Sequence, residues 1–182
     1  MDEKHEIVAF GGGCFWCTEA VFSELRGVAS VMPGYTGGLS KNPTYDQVCS
    51  GTSGHAEVIK IEFDPSQITF NDLLTVFFAT HEPTTLNRQG NDVGTQYRSS
   101  IFYTTEQQEH EVEKFIADLN EGASARVVTE IASLGEFYPA EEWHREYYFK
   151  NSDQPYCQLV ISPKLERLQA KYSQLLKSSQ SL

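Results

Sequence analysis

The sequence is short of positive charge. Lys and Arg together number 14 against 25 Asp and Glu, which gives a formal net charge of -11. Proteins that bind nucleic acid do so through clustered Lys and Arg side chains that contact phosphates, and this chain has no such cluster. We therefore expect no nucleic-acid partner.

Long hydrophobic runs are also missing. Residues Met1–Glu6 are mostly charged or polar, and the apolar run that follows, Ile7–Phe10, is short. A signal peptide needs an apolar core of about 7–15 residues, and a membrane helix needs about 20. We therefore expect no membrane association and a cytoplasmic location.

Cysteine is scarce, with four residues in the chain. A domain of this length buries roughly 70% of the surface that its unfolded chain exposes, so it needs no disulfide framework. In a cytosolic protein, a few cysteines indicate redox catalysis or metal binding. Only one Cys-x-x-Cys pair is present, while Cys49 and Cys157 stand alone. We expect no metal site and interpret Cys49 as a spectator.

Hydrophobic periodicity divides the chain into short strands and amphipathic helices. Predicted strands cover Ile7–Phe10, Val28–Val31, His55–Phe63, Tyr97–Tyr103 and Val127–Ile131. Predicted helices cover Thr18–Leu25, Phe70–Thr80, Thr105–Leu119, Pro139–Phe149 and Leu165–Leu176, with long loops at Pro33–Ser53 and Glu82–Thr95. The pattern predicts one two-layer α+β or mixed α/β domain over residues 1–182. Its core spans about 7–176, with flexible tails at 1–5 and 178–182.

The clearest chemical signal lies where the first strand meets the first helix, in Gly11-Gly12-Gly13-Cys14-Phe15-Trp16-Cys17. Glycines permit a sharp turn, and a cysteine at a helix N-terminus feels the positive end of the dipole, which lowers a thiol pKa. Cys17 lies one turn further along the helix. Phe15 and Trp16 predict an apolar pocket for a small methyl- or thioether-bearing group; the alternative is that both rings pack in the core.

Glu57 is a second candidate. Strand alternation over His55–Phe63 places it on the apolar face with Ile59. Burial raises a carboxyl pKa, and a carboxyl that stays protonated near neutral pH is a competent general acid. The alternative is that Glu57 reaches solvent or pairs with Arg98 or Arg26.

Four motifs occur together and in order. They are Gly12-Gly13-Cys14-Phe15-Trp16, Gly34-Tyr35-Thr36-Gly37-Gly38, Gly54-His55-Ala56-Glu57 and Gln89-Gly90-Asn91-Asp92-Val93-Gly94-Thr95-Gln96-Tyr97-Arg98-Ser99. From about residue 7 to residue 157 the chain resembles the A-type peptide methionine sulfoxide reductases. The resemblance implies reduction of the S epimer of methionine sulfoxide, free or in proteins. It also implies a two-layer sandwich with ferredoxin-like plait topology and long functional loops.

The resemblance assigns roles to individual residues. Cys14 matches the nucleophile that attacks the sulfoxide sulfur, and Glu57 matches the acid that protonates the oxygen. Tyr45 and Tyr97 match tyrosines that hold this oxygen, and Asp92 matches an aspartate that helps to shape the site. The aromatic pair that follows the nucleophile, Phe15 and Trp16, matches the cage for the substrate methyl group.

The resemblance also implies that Cys14 is left as a sulfenic acid, which a second thiol converts to a disulfide. Cys17, where many members have glycine, is one candidate for this resolving cysteine. Cys157 matches the position of resolving cysteines in the C-terminal part of many members, but its loop must fold back over the site. The sequence leaves both candidates open. We expect no bound cofactor. The expected reductant is thioredoxin or another dithiol, and the protein is expected to be a monomer.

Two other functions fit the cysteine pattern. One is a thioredoxin-like oxidoreductase that uses Cys14 and Cys17 on protein disulfides, although such enzymes usually have small residues or proline between the cysteines. The other is a binding module without turnover, which holds zinc or a methionine-rich partner.

Overall fold

The computed structural model describes residues 4–178, so most of the two predicted tails lies outside the described residues. The strands are β1 (Glu6–Gly11), β2 (Val28–Thr36), β3 (Ala56–Phe63), β4 (Arg88–Gln89), β5 (Asp92–Val93), β6 (Ser100–Tyr103), β7 (Glu130–Ser133) and β8 (Tyr138–Pro139). The helices are α1 (Phe15–Ser23), α2 (Tyr45–Cys49), α3 (Phe70–Thr80), α4 (Glu106–Asn120), α5 (Tyr147–Lys150) and α6 (Ser162–Tyr172). Within this described range, no helix is both long and apolar enough to cross a bilayer.

Six strands form one sheet in the order β7-β6-β1-β3-β2-β8, and β4 pairs with β5 in a separate hairpin. The β6–β7 pair is parallel, and the other neighbours in the large sheet are antiparallel. The inner strands and two helices follow one another as β1-α1-β2-β3-α3-β6, with spatial order β6-β1-β3-β2. This is the ferredoxin-like arrangement, and the predicted fold class is confirmed.

The sheet has one thickly covered face. Val8 and Phe10 of β1 lie in the main core, where the Phe10 ring packs against Phe22 of α1 and stacks on Phe77 of α3. The Ala9 side chain lies on the opposite face of the sheet, in a smaller cluster that the residues after β7 cover. The helices therefore cover one face, and α1 leaves β1 on that same side.

Local signals explain the elements that match the prediction. α3 has the predicted bounds because Thr69 caps it, accepting from the Asp72 backbone N–H at 3.0 Å while the Asp72 carboxylate accepts from the Thr69 N–H. This reciprocal pair satisfies two N–H groups that a helix end otherwise leaves unbonded. α4 begins directly after Thr105, whose hydroxyl accepts from the Gln108 N–H.

Several predicted boundaries differ from the structure, among them those of the strands near 28–36, 100–103 and 130–133 and of the first and last helices. The loop predicted at Pro33–Ser53 begins later, because β2 pairs with β3 as far as Thr36. The strand predicted at Tyr97–Tyr103 begins at Ser100, because the preceding residues form a 3₁₀ turn over Thr95–Tyr97.

The helix predicted at Pro139–Phe149 is also wrong. This segment consists of the short strand Tyr138–Pro139, a 3₁₀ turn at Glu142–His144 and the four-residue helix Tyr147–Lys150. Glu146 interrupts it with a left-handed backbone, φ +54°. Aromatic rings from the last two pieces pack around the start of α1, and these tertiary contacts override the helical periodicity.

Candidate active site

Cys14 lies in a sharp turn between β1 and α1. Gly13 has φ +93°, and a Cβ atom there would lie 2.6 Å from the Gln89 Cγ, so the turn requires glycine. Cys14 is the N-cap of α1, with the Cys17 N–H donating to its carbonyl at 3.1 Å. The predicted glycine turn therefore places a half-buried cysteine at the first turn of a helix.

The two thiols of the Cys-x-x-Cys motif interact directly. Burial, followed by the hydrogen bond with Cys17, raises the pKa of the Cys14 thiol well above its usual range. The same hydrogen bond lowers the pKa of Cys17 from 9.0 to about 7. The sequence-based expectation of a lowered pKa for Cys14 is wrong, because burial outweighs the helix N-terminus.

Glu57 is buried beside Cys14, with 1% of its surface exposed. The Phe15 N–H donates to its Oε1 at 3.3 Å, and its Oε2 is buried with no hydrogen-bond partner among the described residues. Burial raises its pKa from 4.5 to about 8, although the Phe15 N–H acts in the opposite direction. The alternative partner Arg98 instead pairs with Glu130 at 2.9 Å. Glu57 is therefore a neutral carboxylic acid at pH 7.

Tyr45 and Tyr97 reach the same region from two loops. Tyr45 opens α2, and the Glu141 carboxylate fixes it by accepting from its backbone N–H at 3.3 Å and from the Tyr35 hydroxyl at 3.2 Å. Burial and the Glu57 charge raise the pKa of Tyr97, while burial, Cys49 and then Glu57 raise that of Tyr45. Both phenols remain protonated donors at neutral pH.

Asp92 and Tyr156 stand on the opposite side of the thiols. The Tyr156 hydroxyl donates to Asp92 Oδ2 at 3.3 Å and lies 3.5 Å from Cys17 Sγ. A cavity of about 410 Å³ lies here, lined in part by Cys14, Cys17, Asp92, Tyr156 and Lys164. The nucleophile candidate and one resolving candidate therefore share a cavity.

Cys157 lies deeper. It has no exposed surface and packs in a cluster with Cys17, Ala20 and Ile161. The residues Cys157–Ile161 form a π-helical turn, a rare geometry often found at functional sites. The structure thus places Cys157 next to Cys17, with Cys14 at the edge of the same cluster.

The two aromatic candidates differ in their surroundings. Phe15 is fully buried and packs in the main core, with its ring 5.0 Å from that of His144. Trp16 is partly exposed and stacks on Tyr147, with ring centroids 3.7 Å apart and planes 8° apart. Its Nε1–H donates to His144 Nδ1 at 3.0 Å. Trp16 is therefore the ring that is accessible near the site.

Sequence reasoning missed several residues around this site. His144 is fully buried between aromatic rings and was not among the predicted site residues. The density of aromatic residues from Trp143 to Tyr148 was a usable signal for this contact. Tyr156 was not among the predicted site residues either. Lys164 carries no local signal, because a lone lysine on an amphipathic helix is usually a solvated residue.

The site combines a neutral buried acid, a thiol pair and two protonated phenols. Such a set donates protons to a polar oxygen and supplies two thiols, which together provide two electrons. No group of three or more His, Cys, Asp or Glu side chains placed to hold a metal ion occurs within residues 4–178.

Comparison with known proteins gives a consistent result. The model of the family described as "Peptide methionine sulfoxide reductase" matches residues 6–176. The chain is 54% identical over 169 residues to "Peptide methionine sulfoxide reductase MsrA" of Acinetobacter baumannii strain AYE, covering 93% of this chain and 97% of that protein. It is 51% identical over 167 residues to MsrA of Sulfolobus acidocaldarius, covering 92% and 95%.

Solved structures agree with the sequence relatives. Mxr1 from Saccharomyces cerevisiae in its reduced form superposes with a TM-score of 0.78 at 31% identity, covering 86% of this chain and 91% of that one. Mxr1 has also been solved in complex with Trx2, with a TM-score of 0.56 and 23% identity over 81% of this chain and 87% of that one, a likeness that shows the fold alone. The chain therefore belongs to the A-type peptide methionine sulfoxide reductase family, oxidoreductases that reduce methionine sulfoxide with thiols.

Proposed function

We propose that this enzyme reduces the S epimer of methionine sulfoxide, both free and within proteins, with Cys14 as nucleophile and Glu57 as general acid. The observation that carries the proposal is the Glu57 carboxyl, which is buried, neutral and bonded to the backbone N–H directly after Cys14. A sulfoxide carries negative charge on oxygen and positive character on sulfur. Protonation of the oxygen makes the sulfur electrophilic enough for a thiol sulfur to attack.

The first half-reaction balances within the site. Glu57 gives its proton to the sulfoxide oxygen, which Tyr45 and Tyr97 hold through their hydroxyls. Cys14 sulfur attacks the substrate sulfur, and the proton that Cys14 releases restores Glu57. The oxygen then moves from the substrate sulfur to Cys14 as the bond between the two sulfurs breaks, so methionine leaves reduced by two electrons and Cys14 remains as a sulfenic acid. Asp92 supports the site through Tyr156.

Trp16 offers its partly exposed ring to the substrate methyl group, and Phe15 supports it from the core. Sulfur and methyl groups next to a sulfoxide pack favourably against aromatic rings. The stacked Tyr147 and the hydrogen bond to His144 hold the indole in one orientation.

Cys17 is the proposed resolving thiol. It lies in the first turn after Cys14, and its backbone N–H donates to the Cys14 carbonyl at 3.1 Å, so a disulfide between them requires little backbone movement. Cys157 is fully buried beside Cys17, so it is better placed to react with Cys17 than with Cys14. We therefore place the first disulfide between Cys14 and Cys17.

The reductant proposed for this disulfide is thioredoxin or a similar dithiol, because regenerating two thiols needs two electrons from a partner of that class. Cys14 is half-buried in the wall of the cavity and is the sulfur that such a partner reaches. A reducing compartment such as the cytoplasm suits this chemistry.

Enzyme reduced with excess dithiothreitol tests the proposal, with free and peptide-bound methionine sulfoxide of each epimer as substrates. We expect methionine from the S epimer and none from the R epimer, and no methionine from Cys14→Ser. Reduction of insulin disulfides without any sulfoxide reduction would contradict the proposal and favour the dithiol oxidoreductase.

A further inference from the structure

The surroundings of Cys17 are unusual for a buried thiol. Only 3% of its surface is exposed, yet its sulfur lies 3.5 Å from the Tyr156 hydroxyl. That hydroxyl also lies 3.3 Å from Asp92 Oδ2, and its single proton is donated to one of these two neighbours at a time. The Cys14 hydrogen bond lowers the pKa of Cys17, whereas burial and the Asp92 charge raise it, so a nearby cation would favour the charged sulfur.

Lys164 supplies a positive charge at this place. It is the third residue of α6 and lines the cavity with both cysteines and Asp92. The ion pairs found within residues 4–178 are His5–Glu62, Arg98–Glu130 and His144–Glu141, so the Lys164 ammonium pairs with no carboxylate in that range. Its charge is available to the thiols.

The groups that face Cys17 come from every element packed against it. They are Cys14, Glu57, Asp92, Tyr147, Tyr148, Tyr156, Cys157 and Lys164. Every member of this set except Lys164 is neutral or negative. A cation in a partly desolvated cavity interacts with a thiolate more strongly than it would in water.

We propose that Lys164, together with the Tyr156 hydroxyl, holds Cys17 as the thiolate that resolves the Cys14 sulfenic acid. Lys164 is then a positioning residue for the second half-reaction and has no part in the first. This inference rests on the proposed function. The Lys164 charge and the Tyr156 hydrogen bond both lower the pKa of Cys17, after the larger effect of Cys14.

The resolving step balances in atoms and electrons. The Cys17 thiolate attacks the sulfenic sulfur of Cys14, an S–S bond forms, and the S–O bond breaks. Cys17 is oxidised and Cys14 is reduced from the sulfenic level. The hydroxide that leaves takes a proton from solvent and departs as water.

Single-turnover measurements on Lys164→Met and Lys164→Arg test the inference. Met keeps the apolar length of the side chain and removes its charge, whereas Arg keeps the charge. Reduced protein is mixed with one equivalent of peptide-bound S-sulfoxide, without external dithiol, between pH 5.5 and 9. Methionine is measured by chromatography, and the Cys14–Cys17 disulfide by alkylation and peptide mass spectrometry.

We expect all three proteins to form methionine at the same rate. Disulfide formation in Lys164→Met is slowed about tenfold near pH 6, the effect of roughly one pKa unit, and recovers at pH 9. Lys164→Arg follows the wild type. A dimedone-trapped sulfenic acid accumulates in the Met variant at low pH.

Three results overturn the inference. The first is an unchanged pH profile in Lys164→Met. The second is equal slowing in the Met and Arg variants at every pH, which indicates packing alone. The third is a first disulfide between Cys14 and Cys157. Failure of all three proteins to form methionine would instead overturn the proposed function.

Discussion

Cys14 and Glu57 are held by the central strands and α1, whereas Tyr147, Tyr156 and Cys157, on the other side of the site, belong to short helical segments. Cys14 follows a central strand and begins α1, and Glu57 lies on β3, which pairs with two strands. The opposite segment contains a left-handed residue before α5 and a π-helical turn. It contacts α1 mainly through aromatic rings and sulfur.

This difference separates two tasks. Proton transfer to a sulfoxide needs a buried acid at a fixed position, and a central strand provides that position. Thiol exchange needs sulfur atoms to approach one another and then a partner, and short turns with few ladder hydrogen bonds open at low cost. In the proposed mechanism, the core side carries out reduction of the substrate, and the C-terminal segment supports regeneration of the enzyme.

The largest effect is expected from removal of the Cys17 thiol, which should block regeneration of the enzyme but not the first reduction of substrate. Cys17→Ser retains the first turnover, with one methionine per enzyme, but loses turnover with thioredoxin because the sulfenic acid is not resolved. Cys157→Ser is the matched control and keeps the Cys14–Cys17 disulfide. Methionine counted per enzyme, followed by disulfide mapping, checks this. Sustained thioredoxin-dependent turnover in Cys17→Ser would break the assignment.

A smaller effect is expected at the hydrogen bond between Trp16 of α1 and His144 of the C-terminal segment. His144→Phe removes the acceptor for the Trp16 indole while keeping an aromatic ring. We expect KM for a peptide sulfoxide to rise by up to about tenfold, the size of one net hydrogen bond, with kcat little changed. Steady-state kinetics measures both, with thermal unfolding as the control for folding. A fall in kcat alone would mean that His144 acts in the chemistry.

The smallest effect concerns stability. The Glu57 pKa is about 8 in the folded protein against 4.5 without burial. Stability linked to this group is fully present below pH 4.5 and is lost as pH rises through 8, because the folded state holds a proton that the unfolded chain releases. In Glu57→Gln, the free energy of unfolding should fall less with rising pH than in the wild type, by a few kcal/mol at most.

Urea unfolding at pH 5 and pH 8 measures this difference. A residual fall is expected in the variant because burial also raises the pKa of Glu19, to about 7. An unchanged pH dependence in Glu57→Gln would show that Glu57 is ionised in the folded protein.

Much of the fold was predictable because its signals are local. Alternation over β3 and the cap at Thr69 are readable in the sequence, and the structure agrees with both. The segment after β8 was not predictable in this way, because its turns depend on contacts with Trp16, more than a hundred residues away.

Predictions about the site likewise succeeded where the signal is local in the sequence and failed where it depends on the fold. The burial of Glu57 follows from strand alternation, and the position of Cys14 follows from the glycine turn. The sequence did not predict the raised pKa of the Cys14 thiol, since this depends on burial, which only the fold supplies. The roles of these residues remain predictions.

The most direct test of the account is the pH dependence of methionine formation in a single turnover, without external reductant. We predict that the wild-type rate falls as pH rises through about 8, because ionised Glu57 cannot protonate the sulfoxide. Glu57→Gln should be slower by about 10²-fold or more at pH 7 and should lack this fall. A variant as fast as the wild type, or one with the same fall above pH 8, would contradict the role of Glu57 and with it the proposed first half-reaction.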